Sequence, residues 1–207
     1  MKRLSLMAYF ILSISLIMTS CIKQIEKTFE GQTVVEIDAT PLNPVASGVN
    51  YPILTRVVPE NRPVSTTADS TLRRFSGTVR VRVNVVGLQA STDRTLGYKI
   101  FSSPITSIAF PATLLFSSAA NTAGRQQPPQ PAATLAVQNA VAGTHYTALP
   151  GMVSIPANSS FGYIDIQVLN SGSTSGQARF LGIQLDSTGS MLPSPNYLRL
   201  GLLIDQR

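Results

Sequence analysis

The segment Thr78–Val86 constrains the fold more than any other stretch of this chain. Its valines at 79, 81, 83 and 85 fall on one face of an extended strand, and Arg80, Arg82 and Asn84 fall on the other. A strict period of two is the signature of a strand with one face buried and one wet, because successive side chains point to opposite sides of a sheet. The pattern recurs. In 163–169, Ile164, Ile166 and Val168 alternate with Tyr163, Asp165 and Gln167. In 179–185, Leu181, Ile183 and Leu185 share a face, as do Leu198, Leu200, Leu202 and Ile204 in 198–204. Shorter strands are expected at 33–37, 51–58, 95–101 and 151–155, set off by Gly and Pro punctuation. No helical period appears beyond the first twenty residues. Seven or so short strands joined by turns predict an all-β, immunoglobulin-like antiparallel β-sandwich.

The exception is the amino-terminal end. Lys2 and Arg3 precede an apolar run from Leu4 to Met18, and Thr19-Ser20-Cys21 follows. That run is shorter than the roughly 20 residues a membrane span needs. The layout resembles a bacterial lipoprotein signal, with Met18 in place of the usual leucine. Residues 1–20 are therefore read as a signal peptide and Cys21 as the lipidation site. Cys21 is the sole cysteine of 207 residues, so no disulfide can form within one chain. Acylation would consume the leftover thiol, and two or more acyl chains anchor a protein stably where one does not. Residues 21–32 form a polar tether, and 33–207 are expected to form one domain, large enough to bury a core without a disulfide.

Within that domain the stretch 102–132 reads as an insertion. Its first half is apolar, with Ile105, Ile108, Phe110, Leu114, Leu115 and Phe116; its second half is polar and proline-rich. Either the apolar half completes the core as an extra strand, or it docks on another protein.

The formal charge is +6, but the arginines are dispersed and lack the dense basic stripe of a nucleic-acid interface; no nucleic-acid partner is expected. His145 is the single histidine, which leaves little room for a Ser-His-Asp or histidine-based zinc site. The ten carboxylates contain no adjacent pair and no Asp-x-Asp spacing, whereas calcium takes six to eight oxygen ligands. No metal or other cofactor is expected. A hydrolase built on a cryptic carboxylate pair is an alternative that no motif supports. Exposed Arg80 and Arg82, solvent-facing Tyr163 and Tyr197, and the insertion's Phe110 and Phe116 are the candidate surface for a ligand or partner.

Four segments in order carry a family resemblance: Ala142-Gly143-Thr144-His145-Tyr146, Val153-Ser154-Ile155-Pro156-Ala157-Asn158, Ile164-Asp165-Ile166-Gln167-Val168 and Leu181-Gly182-Ile183-Gln184-Leu185. The series resembles the Calx-beta pattern, with Gly143, His145 and Tyr146 forming the family's turn into a strand. Together with the leader it resembles the Calx-beta-like lipoproteins of Bacteroidetes, which often accompany starch-utilisation (Sus)-type outer-membrane uptake systems. The resemblance implies a non-enzymatic lipoprotein of the outer membrane, attached through Cys21. It would act as a binding or assembly accessory to a transporter or other envelope protein, or capture a glycan or peptide directly. The family's acidic calcium cluster has no counterpart here. Ile22 after Cys21, in place of aspartate, fits the outer membrane without choosing its leaflet.

Overall fold

The computed structural model describes residues 31–38, 48–57, 69–110, 112 and 130–207. The leader, Cys21 and Phe116 lie outside the described residues, as does most of the polar half of the insertion.

The described strands are β1 (Val34–Ile37), β2 (Ile53–Leu54), β3 (Thr78–Val86), β4 (Arg94–Phe101), β5 (Ser107–Phe110), β6 (Ala133–Asn139), β7 (Met152–Ile155), β8 (Phe161–Gln167), β9 (Gln177–Gly189), β10 (Leu192–Pro193) and β11 (Arg199–Asp205). They form two sheets, a four-stranded one in the order β10-β1-β3-β8 and a larger one in the order β2-β11-β9-β4-β7 that also carries β5 and β6. The immunoglobulin-like, all-β sandwich is the fold observed. It is not the purely antiparallel sandwich that the strand pattern predicts. The sandwich is mixed, because β1 pairs with β10, β2 with β11 and β6 with β9 in parallel.

The main core lies between the sheets. Val79, Val81 and Val83 of β3 and Ile164 and Ile166 of β8 face Leu181, Ile183 and Leu185 of β9 and Leu200, Leu202 and Ile204 of β11, all buried. Burial of each such side chain contributes roughly 1.5–3 kcal/mol against exposure. The alternation read from the sequence is thus the imprint of one buried face per strand.

A second core sits on the outer face of the larger sheet. Tyr51, Ile53, Ile108, Phe110, Leu135, Ala178, Phe180 and Leu203 are buried there, with Phe101, Ile105 and Val137 packed against them. The ribbon β5–β6 makes this possible. β5 pairs antiparallel with β6, and β6 lies alongside Gln177–Phe180 of β9. The described residues of the insertion's apolar half, Ile105, Ile108 and Phe110, therefore complete a core, whereas Leu114 and Leu115 lie outside the described residues; Phe110, expected on a partner surface, is 1% exposed. Its alternation with Ile108 sends both side chains onto the sheet.

Two glycines let this second core close. A Cβ at Gly182 would stand 2.7 Å from the Phe101 ring, and one at Gly201 would stand 2.5 Å from the Phe180 ring. The rings lie where side chains would be. Tyr51 and Phe101 then meet edge to face at 5.2 Å, and Phe101 and Phe180 at 5.6 Å.

Candidate functional site

The outer face of the four-stranded sheet is built by the residues that alternate with the core. β3 sends Thr78, Arg80, Arg82, Asn84 and Val86 outward, and β8 sends Phe161, Tyr163, Asp165 and Gln167. Register aligns them in rows across the strands. Leu192, Val34 and Val86 form an apolar row at one end; Glu36, Asn84 and Phe161 come next; then Arg82 beside Tyr163, Arg80 beside Asp165, and Thr78 beside Gln167.

Each row is tied to its neighbours. The Arg82 guanidinium lies 4.2 Å from the Phe161 ring centroid, and that of Arg80 lies 5.4 Å from the Tyr163 centroid. The two rings meet edge to face at 5.6 Å. Arg82 Nε donates to Asn84 Oδ1 at 2.8 Å, and Arg80 Nε donates to Asp165 Oδ1 at 3.0 Å. Asp38, nearly buried, stands 3.9 Å from Arg82. Exposed cation–π contacts are worth roughly 0.5–1 kcal/mol each, and exposed ion pairs roughly 0.2–1 kcal/mol. No single contact holds the ladder; together they fix long side chains in one arrangement. Burial, and secondarily Asp38, raise the Glu36 carboxyl above its ordinary value.

The guanidiniums of this ladder face carboxylates of the same chain: Arg80 has Asp165, and Arg82 has Asp38. The face is therefore amphipathic and internally balanced rather than cationic. Such a face suits a protein surface of mixed character better than a purely anionic ligand. Tyr163 is 41% exposed, so the ladder presents an aromatic edge to solvent.

Arg80, Arg82 and Tyr163 thus come together as one surface. Tyr197 is exposed too, but among the described residues no ring contact or hydrogen bond joins its side chain to the ladder; its carbonyl accepts the Ile37 N–H at the end of β1. Asn84 and Asp165 read as outward-facing in the sequence but not as part of the candidate surface, and Phe161 was missed. Phe161 was legible, since the outward series Tyr163, Asp165, Gln167 extends back across Gly162 to residue 161.

The turn Gly143-His145-Tyr146 is a structural closure. Gly143 holds φ at +79°, where a side chain is disfavoured. His145 is buried; its Nδ1 accepts the Val141 N–H at 3.0 Å. Its carbonyl accepts the Leu169 N–H, and Tyr146 bridges to Val168. Burial lowers the His145 pKa from 6.5, and Arg179 adds to that, against an opposing contribution from the Val141 backbone.

Among the described residues no three His, Cys, Asp or Glu side chains gather as a metal-binding group. Several carboxylates are engaged with the fold itself. Lys99 sits 3.2 Å from Asp186, Arg207 sits 3.0 Å from Asp205, and Asp93 accepts the Ala157 N–H at 2.8 Å. Among the described residues no helix is long and apolar enough to cross a membrane.

No family model matches the chain, and no curated protein matches it. Among solved structures, it is similar to the apo-form Calx CBD1 domain, with a TM-score of 0.44 and 13% identity over 86% of this chain and 100% of that one. It is also similar to CBD12 from CALX1.2, with a TM-score of 0.39 and 17% identity over 64% of this chain; it spans 40% of that chain's length.

Proposed function

We propose that this chain is a non-enzymatic binding or assembly accessory of the bacterial outer membrane, anchored through Cys21, that docks a protein partner on the outer face of its four-stranded sheet. The observation that carries this reading is the ladder Arg80–Arg82–Phe161–Tyr163. Arginine and tyrosine are enriched at interface hot spots, where rigid, amphipathic side chains contribute contact area at small entropic cost. Here stacking and hydrogen bonds hold them in place before any partner arrives. The apolar row Leu192, Val34 and Val86 extends the same face. A Sus-type transporter is the partner that the lipoprotein resemblance favours.

The test is a mild-detergent pull-down of the tagged lipoprotein from native membranes, with wild type beside Arg82→Ala and Tyr163→Ala. A stoichiometric envelope protein recovered with wild type and lost with both variants supports the reading. Equal recovery with all three overturns the assignment of this face. Retention of a glycan or peptide by the purified wild type, lost on Tyr163→Ala, would instead establish direct ligand capture.

A further inference from the structure

Among the described residues the two sheets end on five edge strands: β10 and β8 in one sheet, β2, β7 and β5 in the other. Four of them are blunted. β2 and β10 are two residues long, and β5 and β7 are four. Each contains or borders a proline: Pro52 before β2, Pro111 after β5, Pro156 after β7 and Pro193 within β10. Short strands and prolines are the usual means of keeping an open edge from pairing with another chain. β8 lacks these devices. It runs seven residues, Phe161–Gln167, without proline or lysine, and its single charge, Asp165, is already bound to Arg80.

The hydrogen bonds of β8 show which of its main-chain groups are open. Ser160 C=O accepts the Val85 N–H on the β3 side, whereas Gln167 C=O accepts the Thr147 N–H on the far side. Odd-numbered residues therefore turn their main-chain groups to the free edge. Phe161 is capped there, since the Ser159 hydroxyl engages both its N–H and its C=O. Gln167 C=O is capped by Thr147. Between the caps, the N–H and C=O of Tyr163 and of Asp165 have no partner among the described residues.

We propose that β8 pairs antiparallel with β8 of a second copy of this chain, about a two-fold axis at Ile164. That register sets Tyr163 opposite Asp165 of the second copy, and the reverse. The four open groups on each chain are then all used, in four main-chain hydrogen bonds, and the four-stranded sheets join as one eight-stranded sheet. The surface is self-complementary, as a two-fold contact requires. Each Asp165 meets a Tyr163 ring that lies under an Arg80 guanidinium, so unlike partners face one another across the junction. A register centred on Asp165 would set two carboxylates face to face and bring Tyr163, rather than only the terminal Phe161, against the edge that Thr147 holds at Gln167. This pairing goes beyond the docking role of the sheet face.

Light scattering and native mass spectrometry of the purified full-length chain in mild detergent test it. Wild type is expected as a dimer that dissociates on dilution. Tyr163→Pro removes an N–H that has no partner among the described residues, and is expected to be monomeric with an unchanged circular-dichroism spectrum. A wild-type monomer throughout the micromolar range, or a folded Tyr163→Pro dimer, overturns the proposal. A second test does not depend on proline being tolerated. Opposed residues of a hydrogen-bonded antiparallel pair stand about 5.5 Å apart at Cα, within disulfide reach. In a Cys21→Ser background, Tyr163→Cys and Asp165→Cys are expected to form a mixed disulfide when combined and little disulfide when each is oxidised alone. Equal cross-linking in all three samples, or none, overturns the register.

Discussion

The Arg82 guanidinium lies over the Phe161 ring, 4.2 Å from its centroid, while its Nε is held by Asn84. A planar cation stacked on a ring and fixed by a hydrogen bond has few rotamers left to lose when a partner arrives. Arg82→Lys keeps the charge and loses the plane. Arg82→Ala and Arg82→Lys are both expected to change folding stability by less than about 1 kcal/mol, because the contact is partly solvated. Both are expected to lower partner recovery by at least about tenfold, about 1.4 kcal/mol of binding. Denaturant melts beside quantitative pull-downs measure the two effects separately. Arg82→Lys binding as wild type does would show that charge alone is recognised.

The buried His145 gives the fold a pH dependence of defined sign. Its folded pKa is lowered, first by burial and then by Arg179, so the unfolded chain takes up the proton more readily. Stability from this residue is complete above about 6.5 and falls as pH drops through that value towards the folded pKa. Protonation also disrupts the Nδ1 acceptor that holds the Val141 N–H. Denaturant midpoints at about pH 8 and about pH 5 should differ more for wild type than for His145→Gln. Equal differences would mean that His145 does not contribute.

The sandwich was legible where each strand buries one face. β3 and β8 announce themselves because Val79 and Ile164 face a core while their neighbours meet water, and β9 because Leu181, Ile183 and Leu185 alternate with Gly182 and Gln184. The second core was hidden for the same reason. Leu203 falls on the face that the alternation of Leu200, Leu202 and Ile204 assigns to solvent, yet it is fully buried because β5–β6 covers that face. β6 itself buries Leu135 alone, too weak a pattern to register as a strand, and its parallel pairing with β9 is a long-range fact that no local spacing encodes. Of the ladder, Arg80, Arg82 and Tyr163 were readable as outward-facing. That Arg82 stacks on Phe161 and Arg80 on Tyr163 depends on the register between β3 and β8, which the sequence leaves open.

Gly182 and Gly201 carry the rings of the second core. Adding a methyl at either position pushes against a ring that is itself wedged against two others. Gly182→Ala and Gly201→Ala are each expected to cost about 1–3 kcal/mol, the range for overpacking. The cost should be coupled to the ring. Combining Gly182→Ala with Phe101→Leu is expected to be less destabilising than the sum of the two, by at least about 0.5 kcal/mol in a double-mutant cycle. Additive effects would place the strain elsewhere.

The carboxylates of Asp165 and Asp205 both pair with arginine at 3.0 Å, yet their losses should differ several-fold. Asp165 and Arg80 are about half exposed, so water screens the pair and replaces it when it breaks. Asp205 is fully buried. Arg207 donates to it from Nε and Nη2, while Arg207 Nη1 reaches the Pro131 carbonyl and Arg73 Nη2 donates to the Arg207 carbonyl. Removing the Asp205 charge strands the Arg207 guanidinium, and the nearby Arg73, in a site with little water. Asp165→Asn is expected to cost less than about 1 kcal/mol, and Asp205→Asn about 3–5 kcal/mol. Urea unfolding monitored by circular dichroism measures both. If the two substitutions cost the same, burial is not what sets the strength of the Asp205 pair, and the tie between the end of β11 and the segment before β6 is weaker than its geometry implies.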